Sequence, residues 1–332
     1  MSPAPAGHAP VMLREVLAAL QPAAGETYVD ATFGGGGYTR AALDAADCRV
    51  IAIDRDPDAL ARGADLAAAY APRLTLLQGR FGDLESLIAA PVDAVMLDVG
   101  VSSFQIDEAA RGFSFQQDGP LDMRMEKAGL SAADAVNRLS ERTLADIIYA
   151  LGEDDDSRRI ARTIVQARAA APIGATHALA ALVERAVGSR KGARTHPATK
   201  TFQALRMLVN DELGELTRAL NGAERILKPD GRLIVVAFHS LEDRLVKTFL
   251  FERAGLRATA SRHAPDAPDA PAPSFVLHNR KTAAPREDEI IANPRARSAS
   301  LRWAIRTAAP AWPPMAAPTL PPKAEEEWRR LR

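Results

Sequence analysis

Four consecutive glycines, Gly34 to Gly37, separate a strand-like run, Tyr28-Val29-Asp30-Ala31-Thr32-Phe33, from the start of a helical pattern at Tyr38-Thr39. Glycines at a strand-to-helix turn let the backbone bend sharply and approach a ligand that a side chain would exclude. Seventeen residues past Gly37, Asp54 closes a second strand pattern. A carboxylate there can accept hydrogen bonds from both hydroxyls of a ribose, so the two features predict a nucleoside cofactor across the first two strand ends. The run departs from the G-x-G-x-x-G fingerprint, because Thr39 stands where the third glycine belongs. That departure weakens the case for a pyrophosphate-bearing dinucleotide and favours a cofactor without phosphate, with S-adenosylmethionine as the candidate. A nicotinamide-dependent oxidoreductase remains an alternative on the same loop and Asp54, and a binding protein without catalysis is a third.

Asp98-Val99-Gly100-Val101-Ser102-Ser103 ends a fourth strand pattern, and in an open α/β sheet polar groups at that carboxyl edge meet the substrate. Between Ser157 and Arg206 stand ten basic residues (Arg158, Arg159, Arg162, Arg168, Arg185, Arg190, Lys191, Arg194, Lys200, Arg206) and one acid, Glu184, a local charge of 10 − 1 = +9. Clustered Lys and Arg gain affinity for nucleic acid by releasing its counterions, although a solvated helix face would look the same. Gln203, Arg206 and Asn210 share one helix face, which suits RNA contact or plain solvation. His239 precedes a capped helix start and reads first as structural, and the acids Glu153 to Asp156 read as stabilising a helix dipole rather than holding a metal. One cysteine, Cys48, and six histidines predict neither a disulfide nor a zinc cluster, so no metal is expected.

The elements that must position these groups alternate. Strands are predicted at Thr27 to Thr32, Arg49 to Asp54, Leu74 to Gln78, Val92 to Asp98 and Arg232 to Phe238, with helices near Thr39 to Ala46, Pro57 to Ala69 and Leu84 to Ala89, the pattern of a parallel sheet covered by helices. Asp56 and Pro57 form a helix start. An apolar-periodic helix (Val11, Met12, Val16, Leu20) precedes them. Val101 to Met125 reads as a structured loop. From Ser131 the pattern turns helical, with Ser131, Ser140 and Asp156 as caps and a helix Thr176 to Val187 ending at Gly188. One long helix is predicted over Ala198 to Leu227, and Ser240 with Asp243 has capping-box form ahead of a helix Leu241 to Ala254. His263 to Ser274, with its APDAPDAPAP run, reads as a linker, Phe275 to His278 and Ser300 to Ile305 as an antiparallel edge pair, and residues beyond Thr307 as a disordered tail.

The 332 residues allow about two domains at roughly 150 residues each. With 47% hydrophobic and 25% charged residues the chain is globular, and 42 Lys+Arg against 42 Asp+Glu leave no net charge. The longest apolar run, Leu233 to Phe238, is about six residues against the ~20 needed to span a bilayer, and the start of the chain lacks a signal-peptide pattern. A cytoplasmic protein with no membrane partner is expected.

The motifs together resemble the MraW (ribosomal small subunit methyltransferase H) family. The resemblance rests on His8-Ala-Pro-Val-Met12, Asp30-Ala-Thr-Phe-Gly-Gly-Gly-Gly37, Ala52-Ile-Asp54-Arg-Asp-Pro57, Asp98-Val-Gly-Val-Ser-Ser103, Arg111-Gly-Phe-Ser-Phe115, Asp118-Gly-Pro-Leu-Asp-Met-Arg-Met125, His196-Pro-Ala-Thr-Lys-Thr-Phe-Gln-Ala-Leu-Arg206, Phe238-His-Ser-Leu-Glu-Asp-Arg244 and Asn293-Pro-Arg-Ala-Arg-Ser298, over about residues 8 to 306. It implies an α/β class I S-adenosylmethionine methyltransferase, Rossmann-like with a mostly parallel seven-stranded sheet and a small inserted all-helical domain. The expected boundaries are 8–125 and 197–307 for the methyltransferase domain, 126–196 for the helical substrate-recognition domain and 308–332 for the tail. The implied activity is methylation of the N4 amine of a cytidine in the decoding region of small-subunit (16S) rRNA. The ribosomal small subunit is the implied partner, and a homodimer is left open.

By the same resemblance, the cofactor contacts fall on Gly35, Gly36, Gly37, Tyr38, Asp54, Phe81, Asp98 and Gln105. Most members have His where this chain has Tyr38, which keeps a backbone contact and removes an imidazole. The amine is a poor nucleophile, so the site must align it with the C–S bond and accept its hydrogens. Asp98, Ser102 and Ser103 are the catalytic candidates, with Asp98 either an acceptor for the amine or mainly a cofactor ligand. Val99, Gly100 and Val101 supply neither the prolines nor the ring of the usual acid-Pro-Pro-aromatic motif, so Phe104, Phe113, Phe115 or Phe238 must provide the stacking platform. RNA contacts are expected at Arg190, Lys191, Arg194, Lys200 and Arg206, with Arg295 and Arg297 as further phosphate ligands.

Overall fold

The computed structural model describes residues 10–188, 195–256 and 271–332. In chain order it runs α1 (Leu13–Leu20), β1 (Thr27–Asp30), α2 (Gly37–Ala45), β2 (Arg49–Asp54), α3 (Pro57–Ala69), β3 (Leu74–Gln78), α4 (Leu84–Leu87) and β4 (Val92–Asp98). A helical stretch follows: α5 (Ser103–Asp107), α6 (Ala132–Arg138), α7 (Glu141–Gly152), α8 (Ser157–Arg168), α9 (Thr176–Val187) and α10 (Thr199–Asn210). The chain ends with α11 (Glu212–Ile226), β5 (Leu227–Ala237), α12 (Ser240–Arg253), β6 (Phe275–Leu277), α13 (Glu287–Ala292), β7 (Ser300–Arg306) and α14 (Pro322–Leu331). It divides into two compact units, Met1–Gly100 with Leu213–Ala317, and Val101–Glu212 with Pro318–Arg332.

The first unit is built on a seven-stranded sheet in the order β3-β2-β1-β4-β5-β7-β6. Its strands are parallel except β7, which runs antiparallel to β5 and β6. The inner strands are buried Val, Ile, Leu and Ala, as a sheet covered on both faces requires. Strand order reverses between β1 and β4, and the carboxyl ends there form the sheet's switch point. β1, β2 and β4 end in Asp30, Asp54 and Asp98 respectively. The strands lie where the sequence predicts them, with β5 starting earlier, at Leu227.

The second unit packs its helices around Leu144, Ile147, Ile148, Ile160, Leu179 and Val183. Ser131 caps α6 in a reciprocal box with Asp134, and Ser140 accepts from Thr143 N–H at the start of α7, as predicted. Asp156 makes no cap bond. Its Oδ1 accepts from Arg159 instead, at 2.6 Å.

Several expectations are corrected. Ala198 to Leu227 is not one helix: Asp211 adopts a left-handed backbone (φ 51) and separates α10 from α11. Asn210 beside it is held by its side chain, whose Nδ2 donates to Met123 O and whose Oδ1 accepts from Met125 N–H. The helical unit is wider than residues 126–196. Leu121, Met123 and Met125 sit in its core, so the expected loop, which also contains α5, belongs to it, as does α10 through Phe202 and Leu205. The tail is ordered here, because Trp328 of α14 is buried in the same core and Glu327 accepts from the Ser140 and Thr143 hydroxyls. Arg190, Lys191, Arg194, His8 and residues 263–270 of the proline-rich segment lie outside the described residues. Among the described residues no helix is long and apolar enough to cross a membrane.

Candidate active site

The glycine turn leaves β1 with Gly34 at φ 53, and Gly36 N–H donates to Phe33 O at 2.7 Å to close it. Gly36 (φ 73) forms the N-terminal cap of α2. Packing inside the protein demands glycine at two of these positions. A Cβ on Gly36 would lie 2.8 Å from the Phe33 ring and 2.9 Å from Leu66, and one on Gly37 would lie 2.5 Å from Pro10. Gly35, by contrast, is exposed at the tip of the turn.

Asp54 ties β2 to this turn. Its Oδ2 accepts from Gly34 N–H and its Oδ1 from Asp56 N–H, both at 2.8 Å, while burial pushes the carboxyl above its ordinary value. Asp56 in turn caps α3, accepting from Asp58 N–H ahead of Pro57, as predicted. Tyr38 is buried, and its hydroxyl donates to Val11 O, clasping the segment before α1 against α2. Phe81 is half-buried in a 3-10 turn after β3, and Glu215 of α11 orders that turn by accepting from Gly82 N–H at 3.0 Å.

Asp98 ends β4 beside β1. Its N–H donates to Thr32 Oγ1 at 2.7 Å, and Thr32 N–H donates to Asp30 Oδ1 at 3.3 Å, so Thr32 links the two strand ends. Asp30 is buried, and its Oδ2 accepts from the Thr39 hydroxyl at 2.6 Å. Asp98 Oδ1 is buried without a hydrogen-bond partner among the described residues. Burial, then the Asp30 and Glu242 carboxyls, push Asp98 up to about 8, and burial raises Asp30 to about 6 against the hydrogen bonds from Thr39 and Thr32. Such a carboxyl fits a ligand that brings positive charge or a hydrogen-bond donor, both of which an adenosyl sulfonium and an amine supply.

The structure therefore brings the glycine turn, Tyr38, Asp54, Phe81 and Asp98 into the sheet unit. Ser102, Ser103 and Gln105 belong to the helical unit, where Ser102 caps α5 in a reciprocal box with Gln105. Gln105 is buried there. Arg206 is engaged with Glu212, Nε to Oε1 at 2.7 Å and Nη2 to Oε2 at 2.8 Å, and Gln203 donates to Leu151 O at 3.0 Å. The face Gln203-Arg206-Asn210 thus packs within its own unit. Lys200 is exposed and donates to Glu153 O. His239 is the residue that caps α12: Nδ1 accepts from Glu242 N–H at 3.4 Å, while the Glu242 carboxylate accepts from Phe238 and His239 N–H. That box stands one residue before the predicted Ser240-Asp243 pair, because Asp243 is taken by Arg302 (2.7 and 2.9 Å) and Ser300.

Asp30 and Glu242 were not among the predicted site residues. The sequence pattern runs the first strand on to Thr32, so it does not mark Asp30 as a strand end in the way it marks Asp54 and Asp98. Glu242 gave no signal.

A mostly parallel seven-stranded sheet with β7 inserted antiparallel, a glycine turn after β1 and an acid ending β2 define a class I S-adenosylmethionine-dependent methyltransferase. The chain belongs to the MraW methylase family, whose sequence model matches residues 5–307. It is 61% identical over 335 residues to the ribosomal RNA small subunit methyltransferase H of Hyphomonas neptunium, covering 99% of this chain and 98% of that protein. It is 57% identical to the protein of that name from Methylobacterium sp. (strain 4-46), covering 97% and 98%. Among solved structures, the N-methyltransferase NodS from Bradyrhizobium japonicum aligns with a TM-score of 0.40 at 9% identity, over 89% of this chain and 94% of that one. Family membership sets aside the nicotinamide-dependent reading.

Proposed function

We propose that this protein methylates the N4 amine of a cytidine in the decoding region of small-subunit (16S) rRNA, with S-adenosylmethionine as donor. Two things support the substrate: relatives at 61% and 57% identity carry the name ribosomal RNA small subunit methyltransferase H, and a +9 segment suits a phosphate backbone. The observation that carries the chemistry is the buried, unpartnered Oδ1 of Asp98 at the sheet's switch point.

When bound, the cofactor supplies a methyl group activated by its sulfonium. Asp54, already oriented by Gly34 and Asp56, would hold the ribose, with Gly35 to Gly37 and Tyr38 lining the turn, Phe81 serving the adenine and Gln105 as a further ligand. The bound donor would supply its methyl by breaking the C–S bond as the C–N bond forms, leaving a neutral thioether. The amine nitrogen is a weak nucleophile until its hydrogens are accepted, and Asp98 is the proposed acceptor, with Ser102 and Ser103 as polar neighbours four and five residues along the chain. The amine proton then leaves to water. Of the four candidate rings, Phe113 is buried and Phe115 packs on His196 and Phe202, whereas Phe104 is exposed and Phe238 half-buried, which favours the last two as stacking partner for the target base.

Incubation with labelled S-adenosylmethionine and small ribosomal subunits from cells lacking the protein, followed by nucleoside mass spectrometry, should place one methyl on N4 of one cytidine. Label on a ring carbon, or in no rRNA, would overturn the reading. Replacing Arg190, Lys191, Arg194 and Lys200 with Ala should lower the salt dependence of RNA binding by about 0.7 per lost phosphate contact. An unchanged slope would move the RNA surface elsewhere.

A further inference from the structure

The sheet's switch point buries Asp30 and the Oδ1 of the half-buried Asp98, and among the described residues no Lys, Arg or His side chain bonds to either carboxyl. Asp30 has both oxygens occupied by Thr32 N–H and Thr39 Oγ1, and Asp98 Oδ1 has no partner. Thr32 bridges the two strand ends, its Oγ1 accepting from Asp98 N–H at 2.7 Å and its N–H donating to Asp30 Oδ1 at 3.3 Å; among the described residues the charges that act on Asp98 are the Asp30 and Glu242 carboxyls, Asp98 acts in turn on the Tyr38 phenol, and Asp54 acts on Asp30. All of these are acidic or neutral. Glu242 is itself held by the N–H groups of Phe238 and His239, and its Oε1 lies 2.9 Å from His239 Nε2. Two like charges at low dielectric cannot both ionise without a counter-charge.

We propose that Asp30 and Asp98 form a carboxyl pair that reads the charge of the cofactor sulfur: it keeps a proton while that sulfur is absent or neutral and releases it to solvent when the sulfonium of the methyl donor binds. This rests on the methyl-donor reading above. The adenosine and carboxylate of donor and demethylated product are the same, and at the acid end of the range both amines are protonated, so these contributions cancel there. The two differ by a methyl group and by the fixed positive charge at sulfur. The donor meets an ionised pair and is attracted, whereas the neutral thioether gives no reason for the pair to lose its proton. Asp30 is then a specificity-determining residue that helps the spent product leave. The raised values of both carboxyls agree in direction.

The test is isothermal titration calorimetry of the full chain with S-adenosylmethionine and with S-adenosylhomocysteine, in buffers of different ionisation enthalpy between pH 6 and 9. The donor should release protons near neutral pH and the product none, and the ratio of donor to product affinity should grow with pH by up to about tenfold per unit. Asp30→Asn keeps the side-chain shape and one of the two acceptor oxygens, and should shrink both that ratio and its pH dependence while the variant stays folded. Infrared difference spectra of the wild type give a second readout independent of any variant: a protonated-carboxyl band should vanish on adding donor and persist on adding product. Equal proton release for the two ligands, or a band that ignores both, overturns the carboxyl pair while leaving the cofactor assignment standing. Binding of neither ligand overturns the cofactor assignment itself.

Discussion

Asn210 in the helical unit and Asp98 in the sheet unit both carry buried polar atoms, and the fold treats them in opposite ways. Asn210 donates to Met123 O and Arg206 O and accepts from Met125 N–H, so its amide is matched by the backbone it pins. The same holds for Arg206 with Glu212, and for Arg111, whose Nη2 donates to the carbonyls of Arg124 and Met125. Asp98 Oδ1 has no partner and faces two more carboxyls. A matched buried group stabilises one conformation, whereas an unmatched one destabilises the protein until something binds. Matching distinguishes these two positions where burial does not, although Thr201 Oγ1 and Trp328 Nε1 of the helical unit are also buried without a hydrogen-bond partner among the described residues.

The sharpest way to break that contrast is Asp98→Asn, which should lower kcat/KM for methyl transfer by on the order of 10² to 10³-fold with no loss of folding. Steady-state kinetics with small subunits check it, and retained activity would mean that the orphaned oxygen is idle. In the helical unit the effect should fall on stability. Trp328→Ala empties a core position and should cost about 3 kcal/mol, read from denaturant unfolding, with cofactor affinity unchanged. Asp54→Ala should weaken cofactor binding about 10- to 100-fold by calorimetry, because it removes the proposed ribose acceptor and frees Gly34 N–H.

The smallest effect sharpens the contrast through pH. Folded Asp30 and Asp98 keep protons that the unfolded chain releases above its ordinary value of 3.8. Their contribution to stability therefore falls as pH rises from about 4 through 6 and 8. In the helical unit the Ser131 hydroxyl and N–H hold Asp134 below its ordinary value, so its contribution is present above that value and is lost as pH falls. Cofactor-free melting temperatures at pH 5, 7 and 9 should show the alkaline decline flattened by Asp98→Asn and unaffected by Asp134→Asn.

Much of the scaffold was legible because its signals are local. Alternating Val and Ile runs placed the strands, Asp56-Pro57 placed the start of α3 and Ser131 and Ser140 placed two more helix starts. Where two local signals overlapped, distant contacts decided. His239-Glu242 and Ser240-Asp243 both have the spacing of a capping box, and Arg302 settled the matter by taking Asp243. The helix break at Asp211 had no glycine to announce it, since a non-glycine residue enters the left-handed region only when its surroundings hold it there. The tail helix was legible in part: Ala324, Trp328 and Leu331 stand at helical spacing, but so few apolar residues among charges indicate a helix only once a core receives them. The glycines of the turn were assigned to ligand approach, yet Phe33, Leu66 and Pro10 already require them at Gly36 and Gly37.

By itself the sequence determined the order of strands and helices, the bend at Gly34 to Gly37 and the aspartates that end β2 and β4, because each depends on neighbours a few residues away. Only the tertiary structure decided which of those aspartates lose water and which find partners. Glu242, 144 positions beyond Asp98, raises its proton affinity, and Thr32 ties it to Asp30. Desolvation and like-charge repulsion act through space, so the chemistry of the strand ends was set by residues the local pattern could not bring together.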